Sequence, residues 1–404
     1  MLNDEKPQPL SGIRVIELAR VLAGPWAGQM LADMGADVIK VENPDGGDDT
    51  RAWGPPFVEG EAGENLSAAY YHSTNRGKRS IIVDLKTEEG QGIVRQLVAG
   101  ADVVIENFKR GGLQKYGLDY ESLRAVNPRL VYCSITGFGQ DGPYADLAGY
   151  DYIVQGMSGF MSVTGEPDGQ PMKAGVAIAD IFTGVYAVTA IQAALIHVMR
   201  TGKGQHVDMA LLDVMAAVLA NQNMNYLVSG TAPNRLGNAH PNISPYEVIP
   251  VRDGHIILAV GNDGQFRRFC TILGLEAAAD DERFATNRAR VAHRVEVRDL
   301  LVGNTVQWPK AELLDACGKN AVPAGPINSV AEMFDDPQVK ARGMRIDLPD
   351  ADGNLIPGVR TPVVLSETPL AYHRPSPRLG EHTDEVMMEL MIGEMKKAAR
   401  GTVE

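Results

Sequence analysis

Asp180 stands where an apolar stretch, 175–179, meets a long run of helical pattern, 180–199. A carboxylate at a helix start is stabilised by unsatisfied backbone N–H groups and by the helix field. The same position suits a nucleophile that must be held fixed and ionised. Spacing alone leaves both roles open, an N-cap aspartate or a nucleophile. Thr183-Gly184, one turn on, removes a side chain and lets a ligand approach closely. Two basic clusters accompany Asp180. Arg76, Lys78 and Arg79 lie in NRGKRS directly before a strand, and Lys109, Arg110 and Lys115 follow a strand end. Ligands of open α/β sheets bind beyond the carboxyl ends of strands, so both clusters suit an anionic, phosphate-bearing ligand or a solvated charged edge. Asn107 and Phe108 offer a hydrogen bond and an apolar wall there.

Positioning these residues falls to alternating strands and helices over the first 150 residues. Strand patterns at 13–18, 37–42, 80–85, 102–106 and 130–135 are apolar, and helical patterns at 27–34, 87–99 and 120–126 separate them. Such strands predict a parallel sheet covered on both faces: an α/β, doubly wound, Rossmann-like large domain. After the helix at 180–199 a turn at 201–204, a strand at 206–209 and a helix at 211–226 lead into a polar, Gly/Pro/Asn-rich loop at 231–246. A strand at 254–260 and helices at 263–273, 293–303 and 310–317 predict a smaller mixed α/β domain. An amphipathic helix over 383–397, with Thr383 as its cap, closes the chain. The expected organisation is 1–210 for the N-terminal part of the large domain, 211–330 for the small domain with linkers, and 331–404 returning to the large domain.

The 404-residue chain carries a net charge of −13, which argues against a nucleic-acid partner. Cys133, Cys270 and Cys317 show no CxxC or zinc spacing, so neither a disulfide scaffold nor a structural metal is expected. The opening residues, MLNDEKPQPLSG, are too polar for a signal segment. The apolar run at 185–199 is interrupted by Thr189, Gln192 and His197, and reads as a core helix too polar and short for a bilayer. No membrane partner is expected, and the expected compartment is the cytoplasm. No GxGxxG follows the first strand, Ser158 in QGMSG falls short of GxSxG, and the eight histidines form no HExxH-type pair.

The segments ARVLAGPWAGQMLADMGADVIKVE, DDTRAWGPPF, NRGKRSIIVDL, VIENFKRGGLQKYGL, CSITGFGQDGPYADLAGYD and the Asp180 stretch resemble, in this order, the CaiB/BaiF family of class III coenzyme A transferases. The resemblance runs from residue 11 to 386 and is strongest to the succinyl-CoA:glutarate branch. It implies an interlocked homodimer, a coenzyme A thioester as substrate, no tightly bound cofactor and no metal. It implies Asp180 as the catalytic carboxylate, passing through an aspartyl anhydride and an aspartyl-CoA thioester. Thioester and anhydride are close in group-transfer energy, so exchange runs reversibly where water is excluded.

Coenzyme A contacts are implied at Arg20, Val21, Ala23, Lys78, Arg79, Asn107, Phe108 and Lys115, with an aromatic–acid pair, Tyr150-Asp151, beside the reacting carboxylate. The loop at 236–246 corresponds to the family's mobile lid. It lacks the four consecutive glycines of formyl-CoA:oxalate enzymes, which also carry glutamine where this chain has Leu22. Both departures favour an acid larger than oxalate. A longer dicarboxylate needs a cation for its far end; Arg51, beside Trp53, and Arg235 are the candidates, with His240 as a hydrogen-bonding helper. Two alternatives are weaker. A racemase-like epimerase needs an acid–base pair, and no histidine stands in the 140–143 region. A non-catalytic acyl-CoA binder needs an idle Asp180.

Overall fold

Successive residues of a strand point to opposite faces, so strands buried at every position must be covered on both sides. Val15-Ile16, Val38-Ile39 and Val103-Val104-Ile105 are fully buried. In the computed structural model, which describes residues 8–401, they belong to a six-stranded, wholly parallel sheet. Its spatial order is Arg79–Ile82, Asp37–Glu42, Arg14–Glu17, Val103–Glu106, Val131–Thr136, Gln205–Ala210. Numbered along the chain this is 3-2-1-4-5-6, the doubly wound arrangement. Direction reverses between the first strand, Arg14–Glu17, and the fourth, Val103–Glu106. The loops leaving those two strands therefore flank the crevice in which such sheets bind ligands.

The helix Ala23–Asp33 starts directly after the first strand, and the 24-residue helix Ile178–Thr201 packs across it. A Cβ added at Gly184 would lie 2.8 Å from the Ala23 carbonyl oxygen and 3.0 Å from the Trp26 ring. Only glycine permits this backbone-to-backbone approach. The Ile178–Thr201 helix reaches the length and apolar character of a membrane span, which corrects the expectation from 185–199. Its Ala179, Thr183, Ala187, Ile191, Ala194 and Val198 are nevertheless buried within the protein, as in a core helix.

By internal contacts the chain forms two units. The first holds residues up to 159, 174–223 and 340 onward; the second holds 160–173 and 224–339. In the second, an antiparallel sheet, ordered Ala324–Pro326, Gly254–Ala259, Tyr246–Val251, packs on helices through Ile249, Ile256, Leu258, Phe266, Phe269 and Leu301. The returning C-terminal part is pinned to the first unit. Thr361 donates to Asp33 at 2.6 Å, the His382 N–H donates to the Ser80 carbonyl at 2.9 Å, and Val386 enters the core.

Several expectations change. Residues 160–173 group with the second unit, not with the large domain. The helix expected at 211–226 is two, Leu211–Val218 and Asn221–Ser229, broken where Ala220 takes φ +42°. Residues 175–179 form no strand, because the helix already begins at Ile178. Thr383 does not cap its own helix; its hydroxyl accepts the Ile82 N–H and donates to the Gly380 carbonyl.

Candidate active site

Asp180 is the third residue of its helix, and Ala177, not Asp180, occupies the N-cap position. The cap function is supplied from elsewhere. Asp151, first residue of the helix Asp151–Met157, accepts the Ala179 N–H at 2.9 Å on one oxygen and the Gln155 side-chain amide at 2.6 Å on the other. Gln155 in turn accepts the Ala174 N–H at 2.9 Å, which fixes the entry to the long helix. Asp180 is thereby released from capping, one of the two roles left open by the sequence. Among the described residues no cation lies within ion-pair distance of it. Burial, and then the charge of Asp151, push its carboxyl up to about 7. A half-buried carboxylate beside a like charge and without a counter-ion is costly to ionise and correspondingly basic, as a nucleophile requires.

The switch-point crevice lies in the same unit. Val21 takes φ +71°, a left-handed conformation that a β-branched residue adopts only under strain of about 1–3 kcal/mol. Two side chains hold it there. The Asp48 carboxylate accepts the Val21 N–H at 3.2 Å, and Asn107 pairs with both backbone groups of Arg20, accepting at 2.9 Å and donating at 2.7 Å. Leu22, in the cap position of the Ala23–Asp33 helix, supplies no side-chain acceptor, so first-turn N–H groups remain for an anion. Phe108, Arg20 and Tyr116 line a cleft of about 260 Å³ at the carboxyl ends of the strands. Lys115 is exposed, its ammonium 4.7 Å from the Tyr116 ring centroid. Tyr150 is exposed, and Trp53 meets Tyr70 edge to face at 5.3 Å.

Three basic residues named from the sequence have other commitments. Lys78 is fully buried, and its ammonium donates to Glu17, the Pro25 carbonyl and Asn75, which uses all three protons. Arg79 opens its strand at the amino end of the sheet, opposite the crevice, and binds Asp37, Glu385 and Glu389. Arg51 forks onto Glu42 at 2.6 and 2.9 Å, stacks 3.7 Å from the Tyr71 ring centroid, and gives its remaining donors to Tyr71, Ser67 and the Pro377 carbonyl. None of the three has a donor left for a substrate. Arg235 and His240 belong to the second unit. Arg235 donates to the carbonyls of Glu166, Pro167 and Gly169, and His240 accepts the Asn242 N–H.

Residues 10–383 match the family model for CoA-transferase family III. The chain belongs to that family. It is similar to the succinate–glutarate CoA-transferase of Agrobacterium fabrum (strain C58), 77% identical over 96% of this chain and 97% of the relative. It is 40% identical to the succinyl-CoA:glutarate CoA-transferase of Homo sapiens, over 97% of this chain and 89% of that one. A crystal structure of a CaiB/BaiF family protein from Brucella suis superposes with a TM-score of 0.85 at 61% identity, covering 95% of this chain and 100% of the other. The chain is therefore a CoA-transferase, with the coenzyme A thioester as its substrate. Among the described residues no group of three or more His, Cys, Asp or Glu side chains is placed to hold a metal ion.

In this CoA-transferase two residues beside these groups carried little signal in the sequence. Asp48 sits in GDDTR, a phrase legible mainly for its arginine, yet it is Asp48 that holds Val21. Burial alone would raise its carboxyl, and the Lys40 ammonium at 2.9 Å more than reverses that, to about 2. Tyr70 carries no motif signal. Its phenol is raised by burial and then by the charges of Asp180, Asp151 and Asp48, which places it in the field of the same carboxylates.

Proposed function

We propose that this enzyme moves coenzyme A reversibly from succinyl-CoA to glutarate or a similar C4–C6 dicarboxylic acid, with Asp180 as nucleophile. An Asp180 oxygen attacks the thioester carbonyl, the C–S bond breaks, and an aspartyl–succinyl anhydride forms with coenzyme A thiolate free. The thiolate attacks the aspartyl carbonyl, expelling succinate and leaving an aspartyl-CoA thioester. The acceptor carboxylate attacks that thioester and frees the thiolate again, which then takes the acceptor's acyl group and returns Asp180. The single observation that carries this is the Asp180 carboxylate itself, freed from capping by Asp151 and with no cation in ion-pair reach among the described residues. Similarity to the Agrobacterium and human enzymes supports the donor and acceptor.

Arg20, Val21, Ala23, Asn107, Phe108 and Lys115 are assigned to the coenzyme A moiety, and Trp53, Tyr150 and Asp151 to the acyl region. Lys78, Arg79 and Arg51 are assigned to holding the fold. A homodimer is inferred as well. Phe182, Val185, Tyr186, Ile196 and Met199 of the Ile178–Thr201 helix are exposed in the single chain, an apolar face that suits a second copy. Intact-protein mass spectrometry after succinyl-CoA tests the chemistry. The wild type should gain a hydroxylamine-sensitive adduct on Asp180 that glutarate discharges as glutaryl-CoA, and Asp180→Ala should gain none. Deuterium entering the α-carbon of a bound acyl-CoA, with no adduct, would overturn it.

A further inference from the structure

Glu106 ends the fourth strand, one residue before Asn107, and is buried with no ion-pair partner among the described residues. A buried carboxylate without a counter-ion is retained at a cost unless its hydrogen bonds serve something. One of its oxygens accepts the Phe108 N–H at 2.7 Å, and Ser134, its register partner on the neighbouring strand, offsets part of the rise that burial gives its carboxyl. Ser134 Oγ lies 2.9 Å from His206 Nε2. The His206 ring is fixed in turn, stacked on Tyr120 at 5.1 Å and edge-on to Tyr132 at 5.6 Å. A line of polar groups thus crosses three neighbouring strands, from His206 near the start of its strand, through mid-strand Ser134, to Glu106 at the end of its strand and the Phe108 amide. Asn107, caught between Glu106 and Phe108, is the residue that grips both backbone groups of Arg20, next to strained Val21.

We propose that Glu106, oriented by Ser134 and His206, is a positioning residue for the acyl-CoA donor: it clamps the Asn107–Phe108 turn in the shape that holds the Arg20–Val21 loop against the coenzyme. This rests on the assignment of that crevice to coenzyme A. Ser134 joins the line, its Oγ 2.9 Å from His206 Nε2 and its backbone in register with Glu106. Glutamine at 106 would keep an acceptor for the Phe108 amide, whereas alanine would remove it.

Steady-state kinetics over both substrates test the role, on wild type, Glu106→Ala, Glu106→Gln and Ser134→Ala, with melting temperatures alongside. Glu106→Ala should raise KM for succinyl-CoA about tenfold, the scale of one lost charge-assisted hydrogen bond, and leave KM for glutarate unchanged. Glu106→Gln should recover most of that loss, to within about threefold of wild type, and Ser134→Ala should cost about threefold in the same constant. An unchanged donor KM in folded Glu106→Ala overturns the proposal. So does an equal rise in both KM values that follows a fall in melting temperature, the sign of a merely structural role. Where Glu106→Ala does not fold, an unchanged donor KM in Ser134→Ala overturns it instead. The Asp180 adduct of the wild type, measured in the same preparations, separates this failure from failure of the transferase mechanism itself.

Discussion

Two sets of carboxylates, buried or half-buried, lie in the first unit, and the fold treats them oppositely. Glu17, Glu42 and Asp48 each have a cation at 2.6–3.0 Å: Glu17 takes Lys40 and Lys78, Glu42 takes Arg51, and Asp48 takes Lys40. Asp180 and Glu106 have none among the described residues, and both carboxyls are pushed up to about 7, first by burial. The paired set stiffens the crevice, since a buried pair that loses one member leaves an uncompensated charge. In the unpaired set Glu106 accepts the Phe108 N–H, and Asp180 pairs with no cation among the described residues. A basic residue near a binding motif is thus a poor guide to free charge here, since Arg51, Lys78 and Arg79 are all paired within the fold.

The sharpest way to break that contrast is to remove one carboxylate from the unpaired set. Asp180→Ala should lower turnover of succinyl-CoA with glutarate by at least about a thousandfold, roughly 4 kcal/mol of barrier, with a fold still intact by circular dichroism. Turnover within tenfold of wild type would dissolve the distinction. The paired set should respond in stability instead. Arg51→Ala leaves Glu42 buried and unpaired, and chemical denaturation should show a loss of about 3–5 kcal/mol. The surviving enzyme should keep its preference for dicarboxylic acids. A stable Arg51→Ala protein that lost that preference would return Arg51 to substrate binding.

Much of this was legible in the sequence, for physical reasons that also explain what was not. The parallel sheet announced itself because strands covered on both faces are apolar at every position, and the switch-point loops follow from that order. Asp180 was visible as a carboxylate at a helix start, but whether it caps that helix was hidden. The acceptor that frees it from capping, Asp151, is 29 residues away in sequence and meets it only through the fold of Asp151–Met157, a helix with no strong pattern. Arg51, Lys78 and Arg79 misled because charge is read locally while pairing is decided by tertiary neighbours. Glu42, Glu17 and Glu389 lie 9, 61 and 310 residues away from them. The strand at Tyr246–Val251 was lost because the Pro- and Asn-rich residues before it dominate the local composition.

The like charge beside Asp180 gives a finer test. Asp151→Asn keeps an oxygen for the Ala179 N–H and removes the repulsion that contributes, after burial, to the raised Asp180 carboxyl. The acidic limb of adduct formation, expected near pH 7 in the wild type, should move down by about one unit. Single-turnover rates between pH 5 and 8 measure it. A limb that stays in place would assign the whole shift to burial.

The smallest effect is the most direct probe of how the unpaired set is held. A carboxyl raised in the folded state keeps its proton while the unfolded chain, near 3.8, has already released its own. Folding stability is then lost as pH rises from about 4 to about 7, and the loss is complete above that. Asp180→Asn removes the penalty, so the variant should be more stable than wild type by roughly 1–2 kcal/mol at pH 8 and no more stable at pH 4. Urea denaturation at the two pH values decides it. An equal gain at both would trace the stabilisation to packing, and the Asp180 carboxylate would then not be held against its own charge as the contrast with Glu17, Glu42 and Asp48 requires.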